Sequence, residues 1–141
     1  MNAELEKLTL WTVSNRLVIN SSKTKCLLNS YQRTTDEEIL PMLNGHIVDF
    51  ENSVRFLGII VDKNLKFNDH INLVCTKVAR SIGIMFKLKP FVPLSVLKNY
   101  YYAMIYPYLI YGNLIWGGTY ASHLEPLYLL QKRAIRIICG S

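Results

Sequence analysis

Acidic residues are almost absent from the second half of this 141-residue chain. Residues 71–141 contain eight lysines and arginines but one acid, Glu125, whereas residues 1–70 contain eight basic and nine acidic residues. A charge distribution this uneven indicates a polyanionic partner, either a nucleic acid or an anionic membrane. The alternative is a solvated basic surface that binds nothing.

Cysteines are few and far apart, at Cys26, Cys75 and Cys139. Without a CxxC pair or a histidine at ligand spacing, they predict neither a metal site nor a disulfide framework. Residues 1–17 lack the compact apolar region of a secretory signal. We therefore expect reduced thiols in an intracellular protein, located in the cytoplasm or nucleus and not secreted.

Motifs of self-contained enzymes are missing as well. The chain has no GxSxG, HExxH, P-loop or GxGxxG pattern, and no Asp-Asp pair. Asp62, Asp69 and His70 are close in sequence, but a turn accounts for the first and helix capping for the second. These absences argue against an independent hydrolase or metal enzyme.

Charged residues make up 18% of the chain and hydrophobic residues 50%, with a mean hydropathy of +0.16. This apolar content excludes a disordered protein. The low charge predicts either an apolar surface or a surface that missing chain normally covers. Residues 99–124 contain no charged side chain, and this uncharged stretch is long enough to span a bilayer. Six tyrosines before Gly112, together with Pro107, favour a buried helical hairpin, so we expect no membrane partner.

The first half predicts one helix and a small antiparallel sheet. Apolar residues recur with helical spacing over Glu4–Leu17. A strand is predicted at Lys23–Asn29, and a loop at residues 32–38. Asn44-Gly45 predicts a tight turn between two further strands, and Val54–Val61 is a dense β-branched run.

The second half predicts three helices. The first begins with Asn68 or Asp69 as N-cap and ends before Pro90 and Pro93. Ser95 is expected to cap the second helix, which Pro107 breaks, and Gly140 to end the third, His123–Cys139. The predicted inward positions are Ile71, Val74, Cys75, Val78, Ala79, Ile82, Met85 and Phe86 in the first helix, and Leu124, Leu127, Leu130, Ala134, Ile135 and Ile138 in the last.

The predicted fold class is therefore α+β, with one region at 1–66 and a helical region at 67–141. Two basic stripes stand opposite the apolar faces of the long helices. On a wheel of about 100° per residue, each stripe falls within a narrow arc. Their position on neighbouring helices suits contact with a phosphate backbone, although surface helices often carry lysines for solvation alone. The stripes comprise Lys77, Arg80 and Lys87 on the first long helix, and Lys132, Arg133 and Arg136 on the last.

Three segments, in order, resemble the reverse transcriptases of non-LTR retrotransposons of the jockey type. The first is Leu10-Trp11-x-x-x-Asn15-x-Leu17-x-Ile19-Asn20-x-x-Lys23-Thr24-Lys25, similar to the stretch after the active-site loop. The second is Arg55-Phe56-Leu57-Gly58-Ile59-x-Val61-Asp62-x-x-Leu65-x-Phe67-x-x-His70-Ile71, similar to the primer grip and the entry to the thumb. The third contains Tyr111-Gly112, Trp116-Gly117 and Leu130-Gln131-Lys132-Arg133-Ala134-x-Arg136.

The resemblance implies roles for particular residues. Lys23 matches the lysine that protonates the leaving pyrophosphate, although it is equally explained as a charge at a helix–strand junction. Phe56, Leu57 and Gly58 match the hairpin that presses on the primer terminus. Gly58 suits a close approach of another backbone, but a strand glycine at a bulge is the alternative. The helices beyond Phe67 match a thumb that grips a template–primer duplex.

The metal site of that family is missing from this chain. Its members hold two metal ions on an aromatic-x-Asp-Asp loop and an earlier aspartate, upstream of the helix that contains Trp11. We therefore expect Mg²⁺ only in a full-length relative, and no cofactor or polymerase activity in this chain alone. The implied partners are a template–primer duplex and the missing upstream palm and fingers.

A second hypothesis comes from a different functional class. The high hydrophobicity and the tyrosine-rich segment Tyr100–Tyr111 also suit a small helical module that docks on another protein, with no nucleic-acid function.

Overall fold

The computed structural model describes residues 2–29 and 41–140, and the predicted α+β class is confirmed. The chain forms two compact units, each described by itself below. The N-terminal unit comprises Met1–Leu57 and Val61–Leu65. The helical unit comprises Gly58–Ile60 and Lys66–Ser141. The boundary predicted near Phe67, as a division into domains, stays a prediction.

The N-terminal unit begins with helix α1, Asn2–Ser14, which packs against the first strand. The predicted helix ended three residues later, at Leu17. Arg16 has a left-handed backbone with φ of +56°, which ends the helix before that residue. The amphipathic interpretation of α1 is wrong, because Thr12 is its buried residue while Leu8, Trp11 and Val13 are exposed.

In the described part of the chain, four short strands form two antiparallel sheets of two strands each. They are β1 (Met42–Leu43), β2 (His46–Ile47), β3 (Ser53–Phe56) and β4 (Ile59–Asp62). Met42 pairs with Ile47, and Leu43 with His46. The predicted turn at Asn44-Gly45 is confirmed, with φ of +51° and +76°, as a type I′ hairpin requires.

The predicted strand at Lys23–Asn29 is wrong. Ser21–Lys23 is instead a short 3₁₀ helix, capped by the Asn20 side chain, which accepts a hydrogen bond from the Lys23 N–H at 3.3 Å. This local bond gives the backbone an alternative to a sheet. A single bridge between Cys26 and Phe50 remains of the expected pairing. The loop predicted at residues 32–38 lies outside the described residues.

The helical unit contains three long helices, as predicted, and two short ones that the sequence did not predict. They are α2 (Asn68–Leu88), α3 (Leu94–Met104), α4 (Tyr106–Ile110), α5 (Asn113–Trp116) and α6 (Ala121–Cys139). The α2 helix packs along α6 and also contacts α3 and α4. Pro107 breaks the second predicted helix, as expected, and lies in the first turn of α4, where its missing N–H costs nothing.

Both predicted N-terminal caps are wrong, and the predicted C-terminal stop is confirmed. Phe67 stands at the N-cap of α2 with φ of +56°, because its aromatic side chain is buried there. Pro93, with its extended backbone, occupies the N-cap of α3, so Ser95 is already inside the helix. Gly140 ends α6 in the left-handed conformation with φ of +80°.

The core of the helical unit follows most of the predicted inward positions. Three of them are wrong, since Ala79, Phe86 and Ile135 are exposed, whereas Ile137 is buried. The predicted faces were therefore drawn slightly too wide. The buried side chains on the two long helices are Ile71, Val74, Val78, Ile82 and Met85 of α2, and Leu127, Ala134 and Ile137 of α6.

Within residues 2–29 and 41–140, no helix combines the length and the hydropathy needed to cross a bilayer.

Candidate nucleic-acid interface

The predicted primer-grip residues lie at the tip of a hairpin. The two-residue turn Leu57-Gly58 joins β3 to β4, with φ of +47° and +89°. Two positive φ values in succession are the signature of a type I′ turn. The β-branched run Val54–Val61 therefore contains the ends of two strands and the turn between them. The side chains of Phe56 and Leu57 are 66% and 74% exposed, so the hairpin presents two apolar groups to its surroundings.

Gly58 is explained by its backbone conformation. A Cβ built on Gly58 would lie 3.6 Å from Cε1 of Tyr111, which is ordinary van der Waals contact. The φ of +89° is strained for any residue with a side chain. The structure thus favours a turn requirement at Gly58 over both a strand bulge and a close backbone approach within the chain.

Residues distant in sequence support the start of β4, all of them within the helical unit. The Ile60 N–H donates a hydrogen bond to Nδ1 of the buried His70, at 3.3 Å. The His70 ring stands 5.7 Å from the ring of Trp116, whose Nε1–H donates to the Tyr111 carbonyl at 2.8 Å. Gly112, with φ of +64°, lies against Ile59 so closely that a Cβ there would overlap its Cδ1.

Sequence reasoning did not predict this supporting group, which we call the β4 support: His70, Tyr111, Gly112 and Trp116. The available signal was the pair of glycines in Tyr111-Gly112 and Trp116-Gly117, because a glycine often marks a close approach of another part of the chain. Hydropathy could not reveal His70, a buried polar side chain whose Nδ1 accepts a hydrogen bond from the Ile60 N–H.

The basic stripes lie on the outer faces of their helices, as predicted. Arg80 and Lys87 are exposed and Lys77 is half-buried, while Lys132, Arg133 and Arg136 are all exposed. Because α2 and α6 pack on each other through their buried faces, the two stripes point away from that shared interface. Each stripe is therefore a candidate binding surface in its own right.

No stripe cation forms an ion pair with a carboxylate in the described part of the chain. Two of the lysines instead lie over aromatic rings. Nζ of Lys132 is 4.5 Å from the ring centre of Tyr128, and Nζ of Lys77 is 5.3 Å from that of Tyr108. Such contacts orient the ammonium groups without neutralising them, so the full positive charge stays available to an anion.

Lys23, the candidate general acid, belongs to the N-terminal unit. It is exposed at the end of the 3₁₀ helix, and its side chain makes no ion pair among the described residues. Lys25 is different, because its Nζ lies 3.1 Å from a Glu51 carboxylate oxygen and 4.0 Å from one of Asp49. Lys23 thus remains the lysine of this segment whose ammonium is open to a phosphate.

Metal-ligating side chains and thiols are scattered over the described residues. Within residues 2–29 and 41–140, no three His, Cys, Asp or Glu side chains lie close enough together to hold a metal ion. Burial raises the pKa of the Cys75 thiol, which keeps it protonated and unreactive at neutral pH.

Curated relatives share this stretch of sequence. The RNA-directed DNA polymerase from mobile element jockey of Drosophila melanogaster is 28% identical over 141 aligned residues, which cover 97% of this chain and 15% of the relative. The probable RNA-directed DNA polymerase from transposon X-element is 25% identical over 92% of the chain, and that from transposon BS is 29% identical over 68%. Both are also from Drosophila melanogaster.

No family model matches the chain, and no solved structure matches it significantly. The chain spans between 11% and 15% of the length of the curated relatives it matches. The chain is therefore similar to one segment of the RNA-directed DNA polymerases of the jockey, X-element and BS non-LTR retrotransposons.

Proposed function

We propose that this chain grips the template–primer duplex for an RNA-directed DNA polymerase of a mobile element, without supplying the catalytic metal site. One observation carries the proposal: six cations on the outer faces of α2 and α6 have no carboxylate partner in the described structure. Unpaired surface cations bind phosphates by releasing condensed counterions, a mechanism that needs no base sequence.

Salt dependence of binding to an RNA–DNA duplex tests this proposal. If four phosphates are contacted, the logarithm of the binding constant falls with the logarithm of salt concentration with a slope of about −3.6. Replacing three contacting cations with glutamine reduces that slope by about 2.7. An affinity that does not change between low and moderate salt contradicts the proposal.

Because the stripes point away from their shared interface, each needs its own variant. One variant replaces Lys77, Arg80 and Lys87 with glutamine, and the other replaces Lys132, Arg133 and Arg136. The matched control replaces Lys7, Arg16 and Lys63 of the N-terminal unit, which removes the same charge. We expect at least one stripe variant to lower the slope and the control to change it little. An equal effect of all three variants would indicate attraction by net charge alone.

The hairpin tip is proposed to contact the end of the primer. Phe56 and Leu57 are exposed apolar side chains on a rigid two-residue turn, which suits packing against a terminal base pair. Phe56→Ala with Leu57→Ala should remove any preference for a recessed primer end over a duplex closed by loops at both ends. Binding to the closed duplex should be unchanged. A double variant that retains the preference contradicts this role.

Polymerisation is proposed only for a longer polymerase in which a preceding palm and fingers region supplies the aspartates for Mg²⁺. In that setting Lys23 is proposed as the acid that protonates pyrophosphate. The exposed apolar residues of α1, among them Leu8, Trp11 and Val13, support packing against such a region. Purified chain that extends a primer without help would refute the division of roles.

The exposed apolar residues also favour a second candidate function, docking on another protein without any nucleic-acid role. This candidate predicts association with a protein partner and no retention on a heparin or DNA column. Retention on either column that declines with added salt decides in favour of nucleic acid.

A further inference from the structure

Three tyrosines of the helical unit form a cluster that the stripes do not include. Tyr101 and Tyr102 of α3 and Tyr106 of α4 contact one another, and we call them the tyrosine shelf. The ring centres of Tyr101 and Tyr102 are 5.4 Å apart, and those of Tyr102 and Tyr106 are 5.5 Å apart, both nearly perpendicular. The Tyr101 and Tyr106 rings are 6.3 Å apart and tilted.

Tyr101 anchors this cluster to the core. Its side chain is buried, and its hydroxyl accepts a hydrogen bond from Nε2 of Gln131 on α6 at 3.2 Å. The other two rings rest on this anchor but stay open, since Tyr102 is 62% exposed and Tyr106 is 40% exposed. Edge-to-face packing holds their orientations, so a ligand that stacks on them loses little rotamer entropy.

The charged residues that neighbour the shelf in sequence are all positive. Lys98 lies four residues before Tyr102 on α3, and residues at that spacing share a helix face. Every charged residue between Ile71 and Leu124 is a lysine or arginine. An apolar protein segment docked there would gain nothing from these cations, whereas a nucleotide strand offers both a flat ring and a phosphate.

We propose that the tyrosine shelf binds unpaired nucleotides of single-stranded nucleic acid, with bases stacked on Tyr102 and Tyr106 and a phosphate near Lys98. Stacking on aromatic side chains is tolerant of sequence and needs a base whose face is free. Paired bases inside a duplex have no free face, so the shelf and the stripes take different parts of a substrate. The inference rests on the proposed function only in that both make the partner a nucleic acid.

The test compares labelled single strands with and without bases, measured by fluorescence anisotropy at fixed salt. The probes are an oligothymidine and an abasic strand of the same length, which keeps the phosphates. Tyr102→Ala with Tyr106→Ala should weaken oligothymidine binding by about thirtyfold or more, the effect of losing two stacked bases. Tyr102→Phe with Tyr106→Phe keeps the rings and should retain affinity. Tyr120→Ala, a tyrosine of similar exposure elsewhere in the unit, is the matched control.

Each outcome separates the shelf from the stripes. The proposal is supported if the Tyr102→Ala, Tyr106→Ala variant loses affinity for oligothymidine but not for the abasic strand or the duplex. This support holds even if the stripe variants bind duplex as the parent chain does. Equal loss on both strands, unchanged affinity in the alanine variant, or equal loss in the phenylalanine variant overturns it. If binding to duplex does not depend on salt but oligothymidine binding still requires the two rings, the proposed duplex grip is wrong and the proposal for the tyrosine shelf is retained.

Discussion

The two units of this chain differ in how much apolar surface each buries among the described residues. Of the buried hydrophobic side chains, the N-terminal unit contributes two, Leu43 and Val48, and the helical unit fourteen. The N-terminal unit nevertheless contains apolar residues at helical spacing along α1, most of them exposed. Burial is the dominant favourable term in folding, so the helical unit should hold most of the stability of the chain.

The difference teaches that an apolar pattern and a buried core are separate properties. The pattern in α2 finds partners in α6, α3 and α4, and its wide apolar face is covered. Among the described elements, α1 packs mainly against β1, and most of its apolar side chains are exposed. Exposed apolar surface of this kind usually marks an interaction site.

The two tryptophans give the strongest test of this comparison. Trp116 is 3% exposed and belongs to the β4 support, whereas Trp11 on α1 is 57% exposed. Trp116→Ala should lower the free energy of unfolding of the helical unit by about 3–5 kcal/mol, the usual cost of emptying a buried aromatic site. Trp11→Ala should change unfolding by less than about 1 kcal/mol. Urea denaturation followed by circular dichroism measures both, and similar losses would contradict the comparison.

Two glycines of the helical unit give the next largest contrast. Gly112→Ala places a Cβ against Ile59 at a φ of +64°, so it should destabilise the unit by about 2 kcal/mol or more. Gly83 lies inside α2 with nothing within 4 Å of an added Cβ. Gly83→Ala should therefore stabilise by about 0.5–1 kcal/mol, because alanine loses less backbone entropy in a helix.

Thermal melts of the two alanine variants provide the measurement. The signs should be opposite, although the chemical change is the same. A Gly112→Ala protein as stable as the parent would show that the contact with Ile59 is not tight.

Local chemistry made much of the helical unit predictable. Pro107 and Gly140 act on their own neighbours, and the helical period of Ile71, Val74 and Val78 needs only one burying face. The prediction of Asn68 or Asp69 as N-cap was wrong because a tertiary interaction decides the start of α2. Burial of the Phe67 side chain places that residue at the N-cap. Tertiary packing routinely overrides such local preferences.

The site was predictable in part, for the same physical reason. The helical period places the cations on the outer faces of α2 and α6, so the sequence alone predicts both stripes. Their directions relative to each other depend on how α2 meets α6, which no local pattern encodes. The β4 support joins Ile60 to His70 and Trp116 through one hydrogen bond and one ring contact, and such non-local pairs are invisible to periodicity.

The turn at Leu57 predicts a gain in stability from a polar substitution. Leucine seldom adopts a φ near +47°, whereas asparagine tolerates the left-handed region and favours type I′ turns. Leu57→Asn should stabilise the N-terminal unit by about 0.5–1 kcal/mol while removing an exposed apolar group. Hydrogen exchange of the β3 amides, compared with those of α2, measures the change. Unchanged or faster exchange in β3 would show that leucine is not strained there.

Electrostatic interactions give the smallest contrast in stability, because they are attractive in the N-terminal unit and repulsive in the helical unit. The N-terminal unit holds the described ion pairs, including Lys25 with Glu51 at 3.1 Å. Lys25→Ala should cost that unit about 0.2–1 kcal/mol at low salt and less as salt screens the pair. The helical unit has nine basic and two acidic residues, so its cations repel one another.

Added salt should therefore stabilise the helical unit by a few tenths of a kcal/mol, since screening acts on repulsion there and on attraction in the N-terminal unit. Hydrogen exchange resolved by unit, at low and moderate ionic strength, separates the two responses. If both units respond with the same sign, the uneven charge of the chain does not affect its folding, and the cationic surface is explained by binding alone.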